Sequence, residues 1–530
     1  MGFWDKSLRI FKCLCDNGKQ SIRQVAQQTE LSKSSIHRLK HAMERRDHYP
    51  ESWFWETEEG HRWFIRLVVA TLYTFGLKRG VGAETIREFF VRLRLEMHVG
   101  CSPSALRGLM DVLEQATLET AQAWEREGIA AGETRPIIGA VDETFLERMM
   151  LVFMDLVSGY LVFEEVAQDR TYATWHALVK ARLGTLGVGV LYLVSDRAKA
   201  LIKLADTGLD CLSIPDLFHL LHDLVKSYSL PLWSRLRQAR QALRQAQERL
   251  ATCQAADPRG TVVLQAQACV EASEAVVQRW EGVHSAYRHH LENLSLMVHP
   301  WRLVDSTRQT SADVERQLRA EIVAMETLAE TQALPIKKQA LEKVCRQLAA
   351  LSAVVDFWWQ AVWQDLPPQV ALTPMWERWV DELLLPLMYW QEQVSRTRCP
   401  KRKARMLQAL KAVEAAFVAH PFRQQLTPMV LAGWKAWAAE HVRAFQRASS
   451  AVEGRNGYLS QMHHNHRGLP KCRYKVWTVL HNFDCRAADG TTPAARFFRR
   501  EFPDLFETVL SKIDDLPRPR QRNQALAISG

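Results

Sequence analysis

Three acidic residues far apart in the chain, two closing apolar runs and one on a polar helical face, are of a type that binds a hard cation where a fold brings them together. Asp142 closes the apolar run Ile137-Ile-Gly-Ala-Val, and Asp196 closes a second run, Gly187-Val-Gly-Val-Leu-Tyr-Leu-Val-Ser, 54 residues later. Glu453 lies in Arg447-Ala-Ser-Ser-Ala-Val-Glu-Gly-Arg-Asn-Gly457, where helical spacing would set Ser449, Ser450 and Asn456 on its side as one polar face. Carboxylate oxygens gathered at one point suit Mg²⁺. Each Asp alone reads as an ordinary strand end; the combination with a Glu in a polar helix beside cations is the signal. Asp155, just before a turn, reads as an exposed hairpin Asp, and Glu143 as a side chain on the opposite face of its strand. A further group, Asp216-Leu-Phe-His219, alone would be a helix-start Asp and a satisfied histidine. In Met462-His-His-Asn-His-Arg-Gly468 three histidines invite zinc, but their crowding and the lack of a paired Cys argue against it. With Arg455, Arg467, Lys471, Arg473 and Lys475 close by, phosphate contact is the better reading.

The elements that must position these groups begin at a change of period near Arg135. Ile137–Asp142, Met149–Leu156 and Leu161–Val166 read as a three-strand meander with a turn at Val157–Tyr160. Thr171–Leu183 is an amphipathic helix, Gly187–Asp196 a buried strand, Ala198–Leu204 a short helix and Leu212–Asp216 a last short strand. The order is β-β-β-α-β-α-β. From about Ser227 to about Phe445 the chain reads as helix throughout. Arg235–Cys253 and Val263–Leu294, joined at Asp257-Pro-Arg-Gly260, form a long antiparallel hairpin. Eleven of the eighteen tryptophans fall in this stretch, Trp358, Trp359, Trp363, Trp376 and Trp379 among them. Their spacing reads as bundle core, with one or two available to stack on a base.

That strand order, with Asp142 and Asp196 closing its first and fourth strands, resembles the RNase H-like fold of DDE transposases and retroviral integrases. The resemblance covers about residues 135–225 and 445–480; the long helical stretch agrees by position only. It implies a mixed five-stranded sheet whose first and fourth strands are neighbours, so that Asp142, Asp196 and Glu453 act as catalytic triad and metal ligands. Two Mg²⁺, replaceable by Mn²⁺, would be held about 3.5–4 Å apart. The Asp216-x-x-His219 element is similar to the C/D-x-x-H motif of transposases with a large helical insertion, such as the hAT and Mutator-like groups. It implies supporting roles near the cut for Asp216 and His219, beside Asn456. The expected architecture is an α/β RNase H-like core interrupted by an all-α insertion, mainly α in total.

The N-terminal segment Ser21–Lys40 has the pattern of a helix-turn-helix. Ile22, Val25 and Ala26 face inward from a first helix, Leu31 sits in the turn, Ser32 caps the second helix, and Ile36 and Leu39 face inward again. That leaves Lys33, Ser34, Ser35, His37, Arg38 and Lys40 outward, a polar and cationic set suited to the major groove. A weaker second copy runs from Thr85 through the turn Gly100-Cys-Ser-Pro103 to Met110, with packing and DNA contact equally served. The domains expected are therefore a helix-turn-helix at 1–50, a helical region at 51–133, the first part of the core at 134–225, the insertion at 226–445, and the last core helices with a basic tail at 446–530.

Composition agrees with a DNA partner. The 530 residues carry 69 Lys+Arg against 59 Asp+Glu, a net +10. Residues 1–50 hold ten cations to five anions, residues 455–530 thirteen to seven, and Arg396–Arg405 six to none. The uncharged runs Leu67–Leu77 and Leu183–Ser195 fall short of the roughly 18–20 residues of a membrane span. Ten scattered cysteines without a CxxC pair read as reduced thiols. The expectation is a bacterial, cytoplasmic, nucleoid-associated insertion-sequence transposase without membrane contact. It would bind double-stranded DNA at terminal inverted repeats and at a target, and work as a homodimer or larger assembly. The alternatives are a non-catalytic DNA-binding regulator with a degenerate nuclease core and an RNase H-like nuclease without strand transfer.

Overall fold

The computed structural model describes residues 20–46, 57–129, 135–366, 373–466 and 473–519, with residues 6, 9, 10, 12, 13, 54 and 55. The described chain is mostly helical, 71%, with one mixed five-stranded sheet. It has two separate cores. The small one joins Ile10, Cys13, Val25, Ile36 and Leu39. It is built by helix α1 (Ile22–Thr29) and helix α2 (Lys33–Arg46). A capping box between Ser21 and Gln24 starts α1, and Glu30 in the left-handed region ends it. Ser32 Oγ accepts the Ser35 amide (3.2 Å) at the start of α2, as the sequence leads one to expect.

The large core runs from Phe64 to Leu516 around the sheet β1 (Arg135–Leu146), β2 (Arg148–Asp155), β3 (Leu161–Ala167), β4 (Val188–Ser195) and β5 (Leu212–Pro215). The order is β3-β2-β1-β4-β5, with β1–β2 and β2–β3 antiparallel and β1–β4 and β4–β5 parallel. Ile137, Ile138, Ala140 and Val141 are all buried, so β1 is covered on both faces; a central strand of this kind reads as a continuous apolar run rather than an alternation. At Gly139 an added Cβ would lie 2.5 Å from the Phe153 ring and 2.9 Å from Leu193, so the strand crossing leaves no room for a side chain.

Two expectations about the sheet need correction. Asp142 does not end β1: the hairpin with β2 keeps pairing to Leu146↔Arg148, and only the parallel pairing with β4 stops near Ala140↔Val194. Asp155 is not exposed. It is 4% exposed and accepts the amides of Ile138 (3.3 Å) and Ser158 (3.0 Å) and the Ser158 hydroxyl (2.5 Å). It fastens the β2–β3 turn to β1, because a buried carboxylate must find donors.

Helix α3 (Leu217–Ala256) starts directly after β5 and runs 40 residues, and α4 (Thr261–Met297) returns beside it, giving the expected hairpin with its turn at Asp257–Gly260. Trp301, Trp358, Trp359 and Trp390 are buried in the bundle that follows, whose ring contacts include Trp301–Trp359 at 5.0 Å. The chain returns to the sheet as α5 (Ser450–His466).

Residues 57–129 and the C-terminal helices, expected as separate regions, share the large core. Trp477 Nε1 donates to Leu77 O (3.1 Å), Arg66 pairs with Glu507 (2.6 Å) and Gly100 N donates to Pro517 O (2.6 Å). The second helix-turn-helix candidate belongs here too: Ile86, Phe90, Leu106, Leu109 and Met110 are buried in it, and its Arg92 and Arg107 are paired with Glu88 and Glu84.

Candidate active site and DNA-binding surface

The C-terminal edge of three adjacent parallel strands carries the acidic groups. Asp142 and Asp196 each lie two residues beyond the last β1–β4 pair, and Asp216 lies one residue beyond the pair Ser195↔Pro215. Asp216 N donates to Ser195 O (2.7 Å). Into this edge α5 brings Glu453. Ligating atoms of Asp142, His219 and Glu453 all lie within 4.8 Å of one another, the grouping of this kind found among the described residues. Asp196 is outside that group. It lines a cleft of about 160 Å³ with Asp216, His219, His222 and Lys226, joined to the cluster through His219, and its Oδ1 accepts the Ala198 amide (2.8 Å).

Each member is held by others. Asn456 Nδ2 donates to Asp142 Oδ2 (2.8 Å) and the Glu143 amide to Asp142 Oδ1 (2.9 Å). Asn456 Oδ1 is left buried without a hydrogen-bond partner beside the cluster. Glu143 turns away, as expected of the alternate face, and pairs with Arg170 (2.6 Å). His219 bridges: its Nδ1 lies 2.8 Å from Asp216 Oδ2 and its Nε2 3.4 Å from Glu453 Oε1.

Asp216, 1% exposed, has its oxygens taken up by internal donors. Besides His219 it accepts the Phe218 amide (2.9 Å), the Ser449 amide (3.2 Å) and the Ser449 hydroxyl. Ser449 therefore stands outside α5, bound to Asp216, and not on the metal-facing side that helical spacing suggested. Its part in the site was missed because nothing in the sequence pairs it with a residue 233 positions away.

The electrostatics follow from this crowding. Burial, then the Glu453 carboxylate, push Asp142 up to about 7, against the pull of His219. The hydrogen bond to Asp216, with the charges of Asp216, Asp142 and Glu453, raises His219 to about 9 against its burial. Two carboxylates facing each other in a half-buried cleft call for a cation, and the protonated imidazole supplies one in this arrangement.

Of the cations expected to meet phosphate, Arg455 and Arg473 are engaged internally. Arg455 is buried and makes two hydrogen bonds to Glu164 on β3 (2.6 and 2.7 Å), and Arg473 pairs with Glu114 (2.5 Å). Both are corrected from DNA contacts to internal ion pairs; an Arg at this depth needs an acid beside it. Arg467 and Lys471 lie outside the described residues. On α2, Lys33, Ser34, His37 and Arg38 are exposed, Ser35 and Lys40 half-buried, and Ile36 and Leu39 buried, the division expected of a recognition helix.

Comparison with known families agrees with the helix-turn-helix. Residues 5–47 match the IclR helix-turn-helix domain, and residues 380–525, which include Glu453 and its helix, match a family of unknown function (DUF6399). No curated protein matches the chain. The chain thus carries an IclR-type DNA-binding domain at one end and a DUF6399 region at the other. No helix among the described residues is long and apolar enough to cross a membrane.

Proposed function

We propose that the protein is a DNA transposase that binds transposon ends through its helix-turn-helix and cuts and joins DNA by metal-dependent phosphoryl transfer. The observation that carries this reading is the meeting of Asp142 and Glu453, 311 residues apart in sequence, within 4.8 Å of each other and of His219 at a sheet edge. The strand order β3-β2-β1-β4-β5, with two antiparallel and two parallel pairings, is the order of an RNase H-like sheet and supports it.

The donor set fits Mg²⁺, or Mn²⁺ in its place. Asp142 and Glu453 offer hard oxygens, Asp196 lines the neighbouring cleft that His219 also borders, and the partnerless Asn456 Oδ1 is a further oxygen beside them. When bound, such ions activate a water or a DNA 3′-hydroxyl and stabilise the leaving oxygen of an in-line displacement. The chain's own residues orient the site: Asn456 and the Glu143 amide fix the Asp142 carboxylate, and Asp216 fixes both His219 and the start of the helix that carries Glu453. His219 Nε2 holds a proton toward Glu453, in place to neutralise it before DNA and cation arrive.

The test is cleavage and joining of DNA bearing the inverted repeats that flank the gene. The wild type should nick such ends in Mg²⁺ and join their 3′-hydroxyls to target DNA. Asp142→Ala and Glu453→Ala should abolish both while leaving binding to the ends intact. Cleavage that survives those changes removes the triad from the mechanism; cleavage without joining makes the protein a nuclease.

A further inference from the structure

Helix α3 links the site to an exposed cationic surface. From His219 in its first turn, steps of seven reach Lys226, Trp233 and Arg240. Such a row drifts only ~20° per heptad on an α-helix, so it stays on one side. Arg237 and Arg244 lie one turn beyond Trp233 and Arg240 and widen the row. The other side, with Leu220, Leu224, Leu232, Leu236 and Ala239, is buried. Lys226, Arg237, Arg240 and Arg244 are all exposed. Arg240 shares Glu281 across the hairpin (2.7 Å), whereas Lys226, Arg237 and Arg244 have no ion pair among the described residues. Trp233 is 55% exposed and its neighbour Leu230 77%, unlike the buried tryptophans of the bundle. Both border a groove with Arg237, Arg240 and Arg244. Six Lys/Arg against two Asp/Glu over residues 217–256 make this helix cationic in its own right.

We propose that this face of α3 is a rail for duplex DNA: the arm adjoining the cut lies along the helix, its phosphates met by Lys226, Arg237, Arg240 and Arg244, with Trp233 against a base or sugar edge. The placement of the cut rests on the transposase reading; the binding of DNA to the rail does not. The 25 residue steps from His219 to Arg244 span ~37 Å at 1.5 Å per step. At 3.4 Å per base pair that is about 11 base pairs, one turn of duplex. The occupant is chosen by charge: Arg237, Arg240 and Arg244 at about one-turn spacing, with Lys226 three turns before them and an exposed aromatic between, complement a phosphate backbone and a sugar or base edge.

The test uses the full chain and a duplex of random sequence about 40 base pairs long, because phosphate contacts are read without regard to sequence. The dissociation constant is measured against salt for the wild type and for Arg237→Gln/Arg240→Gln/Arg244→Gln. Three lost phosphate contacts should lower the magnitude of the log–log slope by about 2.7 and leave the melting temperature in place. Trp233→p-benzoylphenylalanine should photocrosslink to the duplex. An unchanged slope with no crosslink overturns the proposal. So does an unchanged slope with loss of self-association in sedimentation, which would make the face an interface between copies. If the wild type cuts no repeat-bearing DNA and the triple variant still loses slope, the rail stands and the transposase reading falls.

Discussion

Arg455→Ala separates a structural arginine from a DNA-contacting one. The guanidinium makes two hydrogen bonds to the Glu164 carboxylate, with the two side chains 4% and 0% exposed. Removing it leaves that carboxylate desolvated, with the Thr478 hydroxyl (2.5 Å) as its remaining hydrogen-bond donor. Breaking one side of a buried pair costs about 3–5 kcal/mol, because the abandoned charge keeps its desolvation penalty. The large core spans Phe64 to Leu516; at roughly 2.1 cal/mol/K per residue a unit of that size shifts its melting point by about 1 °C per kcal/mol, so the fall should be about 3–5 °C. Differential scanning calorimetry reads it as a shift in the transition of the large core. Arg455→Met combined with Glu164→Leu should restore most of the loss, since an apolar pair of similar volume carries no stranded charge. The opposite pattern would sink this reasoning: an unchanged melting point in Arg455→Ala, with a salt slope for DNA binding smaller by about 0.9, would return the side chain to a phosphate.

Three further outcomes follow from the site and the reader domain. Asp142, held up at about 7, keeps its proton more tightly folded than unfolded; its contribution to stability is full below the ordinary carboxylate range and is lost as pH rises through about 7. In EDTA, Asp142→Asn should therefore gain on the wild type in melting temperature between pH 5 and pH 8, and a gap that is flat or narrows with pH contradicts the crowding of Asp142 and Glu453. Asp216→Asn removes the main cause of the raised His219 value, so the His219 Cε1 proton resonance should titrate well below about 9; an unmoved midpoint would show that Asp216 does not control the ring. Arg38→Gln on the exposed side of α2 should lower the DNA salt slope by about 0.9 with no change in the melting of the small core, whereas Val25→Asp should melt that core and abolish repeat recognition. Equal binding by Arg38→Gln and the wild type would move the reading surface elsewhere.

What the sequence disclosed depended on distance. The five strands, the hairpin read as Arg235–Leu294 and the helix-turn-helix were legible because each is written in a local pattern: an apolar run, a 3.6 period, a cap; the hairpin's first helix begins earlier, at Leu217. The strand end at Asp142 was misplaced because β1 loses one neighbour and keeps the other, and composition does not say which partner continues. Glu453 was found through its polar helical surroundings. Arg455, two residues on, was misread as a phosphate contact because its acid, Glu164, is 291 positions away and chain order gives no hint of the pair. Asp155 was misread for the related reason that the sequence shows a turn without showing what covers it. His219 was singled out, but its bridge from Asp216 to Glu453 exists only once the insertion's two ends are brought together.

Those two ends meet at one point. Leu217, the first residue of the outgoing helix, donates its amide to Arg447 O (3.2 Å), and Ser449 on the returning strand of chain is bound to Asp216. Some 230 residues thus depart from and rejoin the sheet across a gap that a short loop would close. Lengthening a loop adds entropy cost only logarithmically, so a body of this size hangs from the sheet edge at little expense to its folding. Such an attachment is a modular socket: the helical body can be enlarged, trimmed or exchanged over evolutionary time while the carboxylates keep their places, and an engineer could seat a different helical module at the same junction.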